Sequence, residues 1–185
     1  MNQHRGTGWR ILSSSYPIAT PFLRIRSDVI ELPDGAVIEN YYVRETRGFA
    51  VIFALTRDER VILVRQYKHG ARRTLLELPA GAIDEGETAL ECAKRELAEE
   101  TGYAGDEPEL IRTYLADPTN SDGSFHLFLV RNAELRVAQS LDQTEDMNFE
   151  IAPIRALREM LRTGVIEAGS HVASIYAALE HLRLL

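Results

Sequence analysis

The sequence predicts an α/β fold in which helices pack on a mixed β-sheet. Residues 48–55 form a nearly continuous apolar run, which is typical of a strand buried on both faces. Thr88 and Glu91 have the spacing of a helix capping box, and Gly102 suits the position just after a helix, so a helix is predicted over residues 88–101. Strand-like and helix-like segments alternate along the chain, which is typical of this fold class.

The remaining elements follow in chain order. An N-terminal hairpin is predicted because Pro33-Asp34-Gly35, a strong turn sequence, separates two strand-like segments. Two later helices are predicted, one from a proline near its first turn and one from an apolar stripe. The expected strands are residues 22–32, 36–43, 60–66, 109–115 and 124–131, and the later helices are residues 153–162 and 170–183.

The composition is ordinary for a globular protein and excludes several classes of function. The chain has 185 residues, 45% of them hydrophobic and 26% charged, which suits a single domain with a substantial core. A net charge of −7 argues against nucleic-acid binding, which relies on Lys and Arg. Neither an apolar run long enough to span a membrane nor a signal-peptide centre is found. The single cysteine, Cys92, cannot form an internal disulfide, so a cytoplasmic location is expected.

The segment Gly81–Tyr103 carries seven carboxylates in 23 residues. Glu96, Glu99 and Glu100 have the i, i+3, i+4 spacing that places side chains on one face of a helix. Carboxylates placed in this way repel one another, whereas a hard divalent cation such as Mg²⁺ or Mn²⁺ prefers carboxylate oxygen. The spacing therefore indicates a metal site.

The helical wheel of residues 88–101 separates the carboxylates into two groups. Glu96 and Glu100 lie at the edge of the apolar stripe formed by Leu90, Ala93 and Leu97, so both are expected to be partly desolvated. On the opposite flank we expect more solvated side chains, namely Glu87, Glu91 and Lys94. Cys92 is expected to pack rather than react. A glutamate-rich surface helix without a metal remains the alternative that helix geometry alone leaves open.

The spacing of this segment resembles the signature of the Nudix hydrolases. Gly81 is followed after five residues by Glu87, and after seven more by Arg95-Glu96-Leu97-Ala98-Glu99-Glu100-Thr101-Gly102. Every fixed position of the GX5EX7REUXEEXGU pattern is filled, and the one soft departure is Tyr103, where the pattern favours an aliphatic residue. The resemblance implies an α/β/α sandwich around a mixed sheet and hydrolysis of a nucleoside diphosphate linked to another group.

The resemblance also implies roles for individual residues. Glu96, Glu99 and Glu100 match the family's Mg²⁺ or Mn²⁺ ligands, often joined by the carbonyl of the residue matching Ala80. Arg95, with Glu87, would orient these ligands. Relatives often place a general base on a loop after the signature helix, and the loop 141–147 offers Glu145 first and Asp146 second, whereas Glu99 could itself be the base.

Residues around the signature resemble the ADP-ribose and nucleotide-sugar pyrophosphatase branch of the family. Glu77-Leu78-Pro79-Ala80-Gly81 and Arg65-Gln66-Tyr67 carry this resemblance. It implies substrate contacts from Arg65, Lys68 and Glu77, and from Pro118, which lies in a polar loop past the signature. Two departures concern the substrate: Lys68 stands where several relatives have Arg, and the neighbours of Pro118 are not the Ser-Pro-Gly typical of many ADP-ribose enzymes.

The chain ahead of the signature also matches this branch. Residues 1–47 would form an N-terminal β extension used for homodimerisation and base binding, and residues 48–185 the hydrolase domain. An aromatic of the extension often stacks on the base, and Trp9 is the first candidate, beside Tyr16, Tyr41 and Tyr42. The expected activity is metal-dependent cleavage of ADP-ribose to AMP and ribose 5-phosphate. The alternatives are another nucleotide sugar such as GDP-mannose, nucleoside triphosphates or dinucleotide polyphosphates, or a non-catalytic nucleotide-sugar sensor.

Overall fold

The computed structural model describes residues 8–141 and 146–185. It contains twelve strands, three α-helices and one 3₁₀ turn within these residues. The strands are β1 Arg10–Ala19, β2 Arg24–Glu31, β3 Val37–Glu45, β4 Phe49–Ala54, β5 Arg60–Lys68, β6 Arg73–Glu77, β7 Ala80–Ala82, β8 Tyr103–Ala104, β9 Glu109–Leu115, β10 Ser124–Val130, β11 Glu134–Leu135 and β12 Met147–Pro153. The helices are α1 Ala89–Thr101, α2 Leu157–Arg162 and α3 Gly169–His181, and the 3₁₀ turn is Ile154–Ala156.

The chain divides into two compact units. The first, called the N-terminal unit, holds the described residues up to Arg47 together with Leu115–Gly123, and the second holds the described residues of Gly48–Tyr114 and Ser124–Leu185. In the N-terminal unit, β1, β2 and β3 form an antiparallel sheet in that order. The segment Leu115–Gly123 joins β3, since the Thr46 N–H donates to Asp122 Oδ1 at 2.9 Å.

Charged side chains hold the sheet of the N-terminal unit together. Arg26 donates to Glu45 at 2.8 Å and to Asp28 at 2.9 Å, and Arg24 donates to Glu45 at 3.1 Å. The Tyr16 hydroxyl donates to the same Glu45 carboxylate at 3.1 Å. Every residue of β1 is exposed. Ion pairs and backbone hydrogen bonds, rather than a deep apolar core, therefore hold this sheet.

The second unit is a layered α/β structure built around β4. Its four-stranded sheet has the order β7-β4-β10-β9, with β4 parallel to β10 and antiparallel to β7. An antiparallel sheet of order β12-β5-β6 and a two-stranded sheet of β11 and β8 complete the unit. Val51 and Phe53 of β4 belong to the core that contains Ile175 of α3, while Ala50 and Ile52 belong to the core that contains Leu97 of α1.

Strand β4 is thus buried on both faces, as its apolar run predicts, and helices cover both sides. The predicted α/β fold with a mixed sheet is confirmed. The predicted hairpin, the strands near residues 60–66, 109–115 and 124–131, and the helix near residues 170–183 are also present.

Several elements differ from the sequence-based expectation, which includes neither strand β1 nor strands β6, β7, β8, β11 and β12. Strand β1 was not predicted because Ser13-Ser14-Ser15 and Pro17 are unfavourable in most strands. It lies at the sheet edge, and its register with β2 shifts between Ser15 and Ile18, where Pro17 falls. The predicted helix over residues 153–162 is wrong at its start: Pro153 ends β12 with extended backbone, and α2 begins at Leu157. Strand β12 is also an edge strand, where a proline is tolerated.

No helix among the described residues is long and apolar enough to cross a membrane.

Candidate active site

Helix α1, which carries the clustered glutamates, has well-defined ends. The Glu91 N–H donates to Thr88 Oγ1 at 3.2 Å, and the Thr88 N–H donates to Glu91 Oε2 at 2.8 Å, which completes the capping box. Gly102 has a φ of 74° and donates its N–H to the carbonyl of Ala98 at 2.8 Å. Both predicted ends of the helix are confirmed. The position of each glutamate on the helix surface is therefore set by local sequence.

The buried face of α1 includes two of the three clustered carboxylates. Ala93 and Leu97 are buried in the core against β4, and Glu96 and Glu100 are buried beside them, with 8% and 4% of their surface exposed. Glu99 is half-buried. The predicted desolvation of Glu96 and Glu100 is confirmed. Burial of carboxylates is costly unless charge or hydrogen bonds compensate it.

Arg95 is the main compensating charge. Its guanidinium donates to both oxygens of Glu87, at 2.8 and 2.9 Å, and to Glu96 Oε1 at 2.7 Å. It also donates to Glu99 Oε2 at 3.1 Å and to the carbonyl of Ala82 at 3.1 Å. The bidentate ion pair with Glu87 fixes the plane of the guanidinium, because the two N–H donors of arginine are spaced to match the two oxygens of a carboxylate.

This pairing determines the protonation of Glu87. The Arg95 guanidinium lowers the pKa of Glu87 from 4.5 to about 2, and Glu87 in turn raises the pKa of Arg95. Both groups are therefore charged at neutral pH. The expectation that Glu87 is well solvated is wrong, since its side chain is only 14% exposed. Glu87 precedes the helix, so a helical wheel does not describe where it points.

Glu96 lies directly against the backbone of Gly81. A Cβ atom built at Gly81 would fall 1.8 Å from Glu96 Oε1 and 1.9 Å from Glu96 Cδ. Any side chain at position 81 would therefore displace this carboxylate. The Cys92 thiol donates to the carbonyl of Gly81 at 3.4 Å and to that of Ala82 at the same distance. Burial raises the pKa of Cys92 to about 12, so the thiol stays protonated and packs, as expected.

Glu100 is tied to the segment between β6 and β7. The backbone N–H of Ala80 donates to Glu100 Oε2 at 3.0 Å. One residue earlier, the carbonyl of Pro79 accepts from the N–H of Ile52 in β4 at 2.9 Å. The Ala80 backbone and the Glu100 carboxylate are thus held in fixed relation to each other and to the central strand.

A second buried polar group lies behind this segment. Glu77 is 4% exposed, and its carboxylate lies 3.2 Å from Lys68 Nζ and 3.6 Å from His171 Nε2. The N–H of Leu78 donates to His171 Nδ1 at 3.2 Å. Sequence reasoning gave His171 no role at the site, and no local signal could have done so, because 93 residues separate it from Leu78.

The loop after β11 is attached to the carboxyl end of α1. The Ser140 N–H donates to the carbonyl of Glu99 at 2.9 Å, and Gln139 Nε2 donates to the carbonyl of Glu100 at 2.6 Å. These donors occupy carbonyls that have no partner within the helix. The candidate base Glu145 lies outside the described residues, and Asp146, the second candidate, is exposed.

The profile of the NUDIX domain matches residues 45–169 of the chain. The chain belongs to the Nudix family. Ahead of this match, residues 9–43 match the profile of the nucleoside diphosphate sugar hydrolase N-terminal domain. The two matches together span nearly all of the described chain.

Two curated proteins and one solved structure resemble this Nudix protein. The methanol dehydrogenase activator of Bacillus methanolicus is 28% identical over 160 residues, which are 85% of this chain and 86% of that protein. The ADP-ribose pyrophosphatase of Bacillus subtilis is 31% identical over 153 residues, 82% of each chain. A crystal structure of an ADP compounds hydrolase has a TM-score of 0.83 at 20% identity, covering 95% of this chain and 94% of that one. This last similarity shows the fold.

Nudix hydrolases generally need a divalent metal ion. Over residues 8–141 and 146–185, no set of three or more His, Cys, Asp or Glu residues is arranged as a metal site. The carboxylates of Glu96 and Glu99 accept from Arg95, and Glu100 accepts from Ala80. The available ligand atoms nevertheless fit a hard cation, since they are carboxylate oxygens on one helix. Gly81 leaves room for the carboxylate of Glu96.

The remaining candidates of this Nudix protein divide between the two units. In the second unit, Arg65 donates to Glu150 at 3.0 Å on an exposed surface. In the N-terminal unit, Trp9 is half exposed and its ring meets that of Tyr41 edge-on at 5.6 Å. The Tyr41 hydroxyl donates to the carbonyl of Thr119 at 2.6 Å, beside Pro118. The structure therefore groups Trp9 and Pro118 within one unit.

Proposed function

We propose that this protein hydrolyses the pyrophosphate bond of a nucleoside diphosphate sugar, with ADP-ribose, cleaved to AMP and ribose 5-phosphate, as the first substrate to test. The observation that carries the proposal is a Nudix domain with a compact carboxylate and arginine site, preceded by a segment that matches a nucleoside diphosphate sugar hydrolase N-terminal domain. The similarity to an enzyme named ADP-ribose pyrophosphatase supports the choice of substrate.

Within this proposal, Glu96, Glu99 and Glu100 hold the cation, together with the carbonyl of Ala80, and the cation is Mg²⁺ or Mn²⁺. When bound, such a cation neutralises charge that develops on the phosphate oxygens and lowers the pKa of a bound water. Arg95 offsets the repulsion between the Glu96 and Glu99 carboxylates by donating to both. Its fixed pairing with Glu87 supports this role, since a ligand that moves loses affinity for its ion.

The proton acceptor for the attacking water is proposed to be Glu145 or Glu99. Glu99 is the less buried of the three clustered carboxylates, which suits a group that must meet solvent. Glu145 follows the loop that Gln139 and Ser140 attach to the end of α1, which supports its assignment to this site. Comparison of Glu145→Gln with Glu99→Gln separates the two, because only loss of the base removes the acidic limb of the pH dependence of kcat.

Substrate contacts are also proposed for Trp9, Pro118, Arg65, Lys68 and Glu77. Trp9 is a half-exposed aromatic beside Tyr41, as stacking on a base requires. Pro118 lies in the polar loop next to these rings, where it would meet the nucleotide. Arg65 offers an exposed guanidinium to phosphate. The buried Glu77 and the partly exposed Lys68 form a pair that would act on the ribose or phosphate through Lys68.

We also propose a homodimer and a cytoplasmic location. Residues 1–47 would supply the dimer interface, because β1 presents Ile11, Leu12 and Ile18 to solvent in an edge strand, and such surfaces are usually covered. The single cysteine is buried and free, which suits a reducing compartment. Sedimentation at micromolar concentration would detect the dimer, and a monomer with full activity would overturn this part of the proposal.

A substrate panel tests the proposed activity. The protein is incubated with Mg²⁺ and, in turn, with ADP-ribose, GDP-mannose, UDP-glucose, NADH and deoxynucleoside triphosphates, and the products are identified. Cleavage of ADP-ribose to AMP is expected to have the highest kcat/KM. Triphosphate cleavage without nucleotide-sugar cleavage would overturn the proposal, and so would inactivity on every compound. Glu107→Gln serves as the matched control for glutamate substitutions, because Glu107 pairs with Lys94 on the surface.

A further inference from the structure

Three consecutive residues, Leu78 and Pro79 after β6 and Ala80 at the start of β7, are each held by a different element. The Leu78 N–H donates to His171 in α3, the Pro79 carbonyl accepts from Ile52 in β4, and the Ala80 N–H donates to Glu100 in α1. The three distances are 3.2, 2.9 and 3.0 Å. Pro79 has a restricted φ, which removes one of the backbone rotations that could absorb a displacement between Leu78 and Ala80.

The hydrogen bond from Leu78 determines the state of His171. Because the backbone N–H is the donor, Nδ1 must carry a lone pair, and the proton of the neutral ring lies on Nε2, facing Glu77 Oε1 at 3.6 Å. Burial lowers the pKa of His171 to about 4, with Lys68 acting in the same direction and Glu77 against it. The ring is therefore neutral at pH 7 and its acceptor nitrogen is always available to Leu78.

The Leu78 N–H requires an acceptor at position 171. The site is buried, so removing the acceptor would leave the Leu78 N–H without compensation, which is costly in an apolar interior. A hydrocarbon side chain would fill the space without accepting the bond. The histidine thus does something that core packing alone does not require.

We propose that His171 is a positioning residue for the hydrolytic site, acting through the backbone of Leu78–Ala80 on the Ala80 carbonyl and the Glu100 carboxylate. It does not touch the substrate. The proposal rests on the proposed function, in which Ala80 and Glu100 hold the cation. Residues that orient metal ligands in this indirect way typically change metal affinity or activity by about 10- to 100-fold when they are replaced.

The test compares three substitutions of His171 with a control on the same helix. His171→Leu removes the acceptor, His171→Asn places an amide oxygen near the position of Nδ1, and His171→Gln places one near Nε2. Ile175→Val is the control, because Ile175 is fully buried on α3 but belongs to the apolar core. This variant measures how the kinetics change when the packing of α3 is weakened without loss of a hydrogen bond.

For His171→Leu we expect the Mg²⁺ concentration at half-maximal activity to rise about 10- to 100-fold and kcat to fall by a similar factor, with KM for substrate changed less than about threefold. His171→Asn should recover most of this loss and His171→Gln should not. If His171→Leu fails to fold, the difference between the Asn and Gln variants still decides. Equal kinetics for Asn and Gln, or wild-type Mg²⁺ dependence in a folded Leu variant, would overturn the proposal.

A measurement without substrate separates this inference from the proposed function. Exchange of the Leu78 and Ala80 amide hydrogens with solvent, followed by NMR, should be at least tenfold faster in His171→Leu than in wild type and unchanged in Ile175→Val. Unchanged exchange at Ala80 would show that the two bonds are not coupled, whatever the protein hydrolyses. An inactive wild-type protein with the expected exchange pattern would instead overturn only the proposed function.

Discussion

Replacing Gly81 with alanine should disable the site while leaving the protein folded. The added Cβ would lie 1.8 Å from Glu96 Oε1, whereas ordinary van der Waals contact begins at 3.4 Å. The carboxylate must therefore retreat by about 1.6 Å, the difference between these two distances. Gly81 does not have a positive φ, so alanine can adopt its backbone conformation.

The size of the loss follows from how narrowly metal sites are built. Mg²⁺ demands ligand distances of 2.0–2.1 Å in near-ideal octahedral geometry, so a ligand displaced by more than 1 Å no longer binds as before. A misplacement of about 1 Å costs on the order of 10²-fold in rate, or about 2.7 kcal/mol of transition-state stabilisation. We expect at least this loss in kcat/KM. The clash involves the end of a flexible side chain, so the free energy of unfolding should change by less than about 1 kcal/mol.

The assay pairs hydrolysis of ADP-ribose with urea unfolding of the same preparation. Gly70→Ala is the matched control, because a Cβ at Gly70 meets no atom within 4 Å and its φ is also not positive. It should match wild type in both measurements. Activity of Gly81→Ala within threefold of wild type would show that the position of Glu96 does not matter, and unfolding of the variant would show that the clash is not confined to a side chain.

Three further predictions concern helix α1 and the residues just before it. Glu96→Gln should lower kcat by at least about 10²-fold with little change in the thermal midpoint; turnover near that of wild type would remove Glu96 from the metal set. Thr88→Ala should lower the free energy of unfolding by about 1 kcal/mol in urea titrations, because it removes the hydroxyl that caps the helix. Thr88→Ser should not, because serine keeps this hydroxyl. The pKa of Glu87 is depressed to about 2 by Arg95, so this ion pair contributes stability above pH 4.5 that is lost as the pH falls towards 2. Urea midpoints should therefore fall less steeply over that range in Glu87→Gln than in wild type, and parallel curves would contradict the pairing.

The features predicted correctly from the sequence are those with local causes. Both ends of α1 are determined by local residues, namely Thr88, Glu91 and Gly102. The helical wheel between these ends correctly predicts that Glu96 and Glu100 are buried. The positions of these side chains are determined by hydrogen bonds between residues no more than four apart in the chain. Local spacing was therefore enough to find the carboxylate cluster and its family.

The features missed depend on distant contacts or on exceptions at sheet edges. His171 contacts Leu78 across 93 residues, and nothing near either residue indicates the pairing. The prediction for Glu87 is wrong because this residue lies before the helix, where contacts with Arg95 and with the backbone of Asp84 determine its environment. Pro17 lies in a strand that was not predicted, and Pro153, which was predicted to start a helix, ends a strand instead. A proline is tolerated in both places because each strand lies at a sheet edge.

The charged network of the N-terminal sheet makes this unit sensitive to ionic strength. Among the described residues of the unit, Ile30 is the one deeply buried aliphatic side chain. The ion pairs of Arg24, Arg26 and Glu45 therefore contribute a large part of the stability of this sheet. The Arg24–Glu45 pair, in which the Arg24 side chain is 53% exposed, weakens as the Debye length falls from about 10 Å at 0.1 M salt to about 3 Å at 1 M, whereas the less exposed Arg26–Glu45 pair is screened less. High salt should therefore destabilise the sheet that carries Trp9 while the core around β4 stays folded. An enzyme built in this way would lose affinity for its nucleotide at high salt concentration before it unfolded.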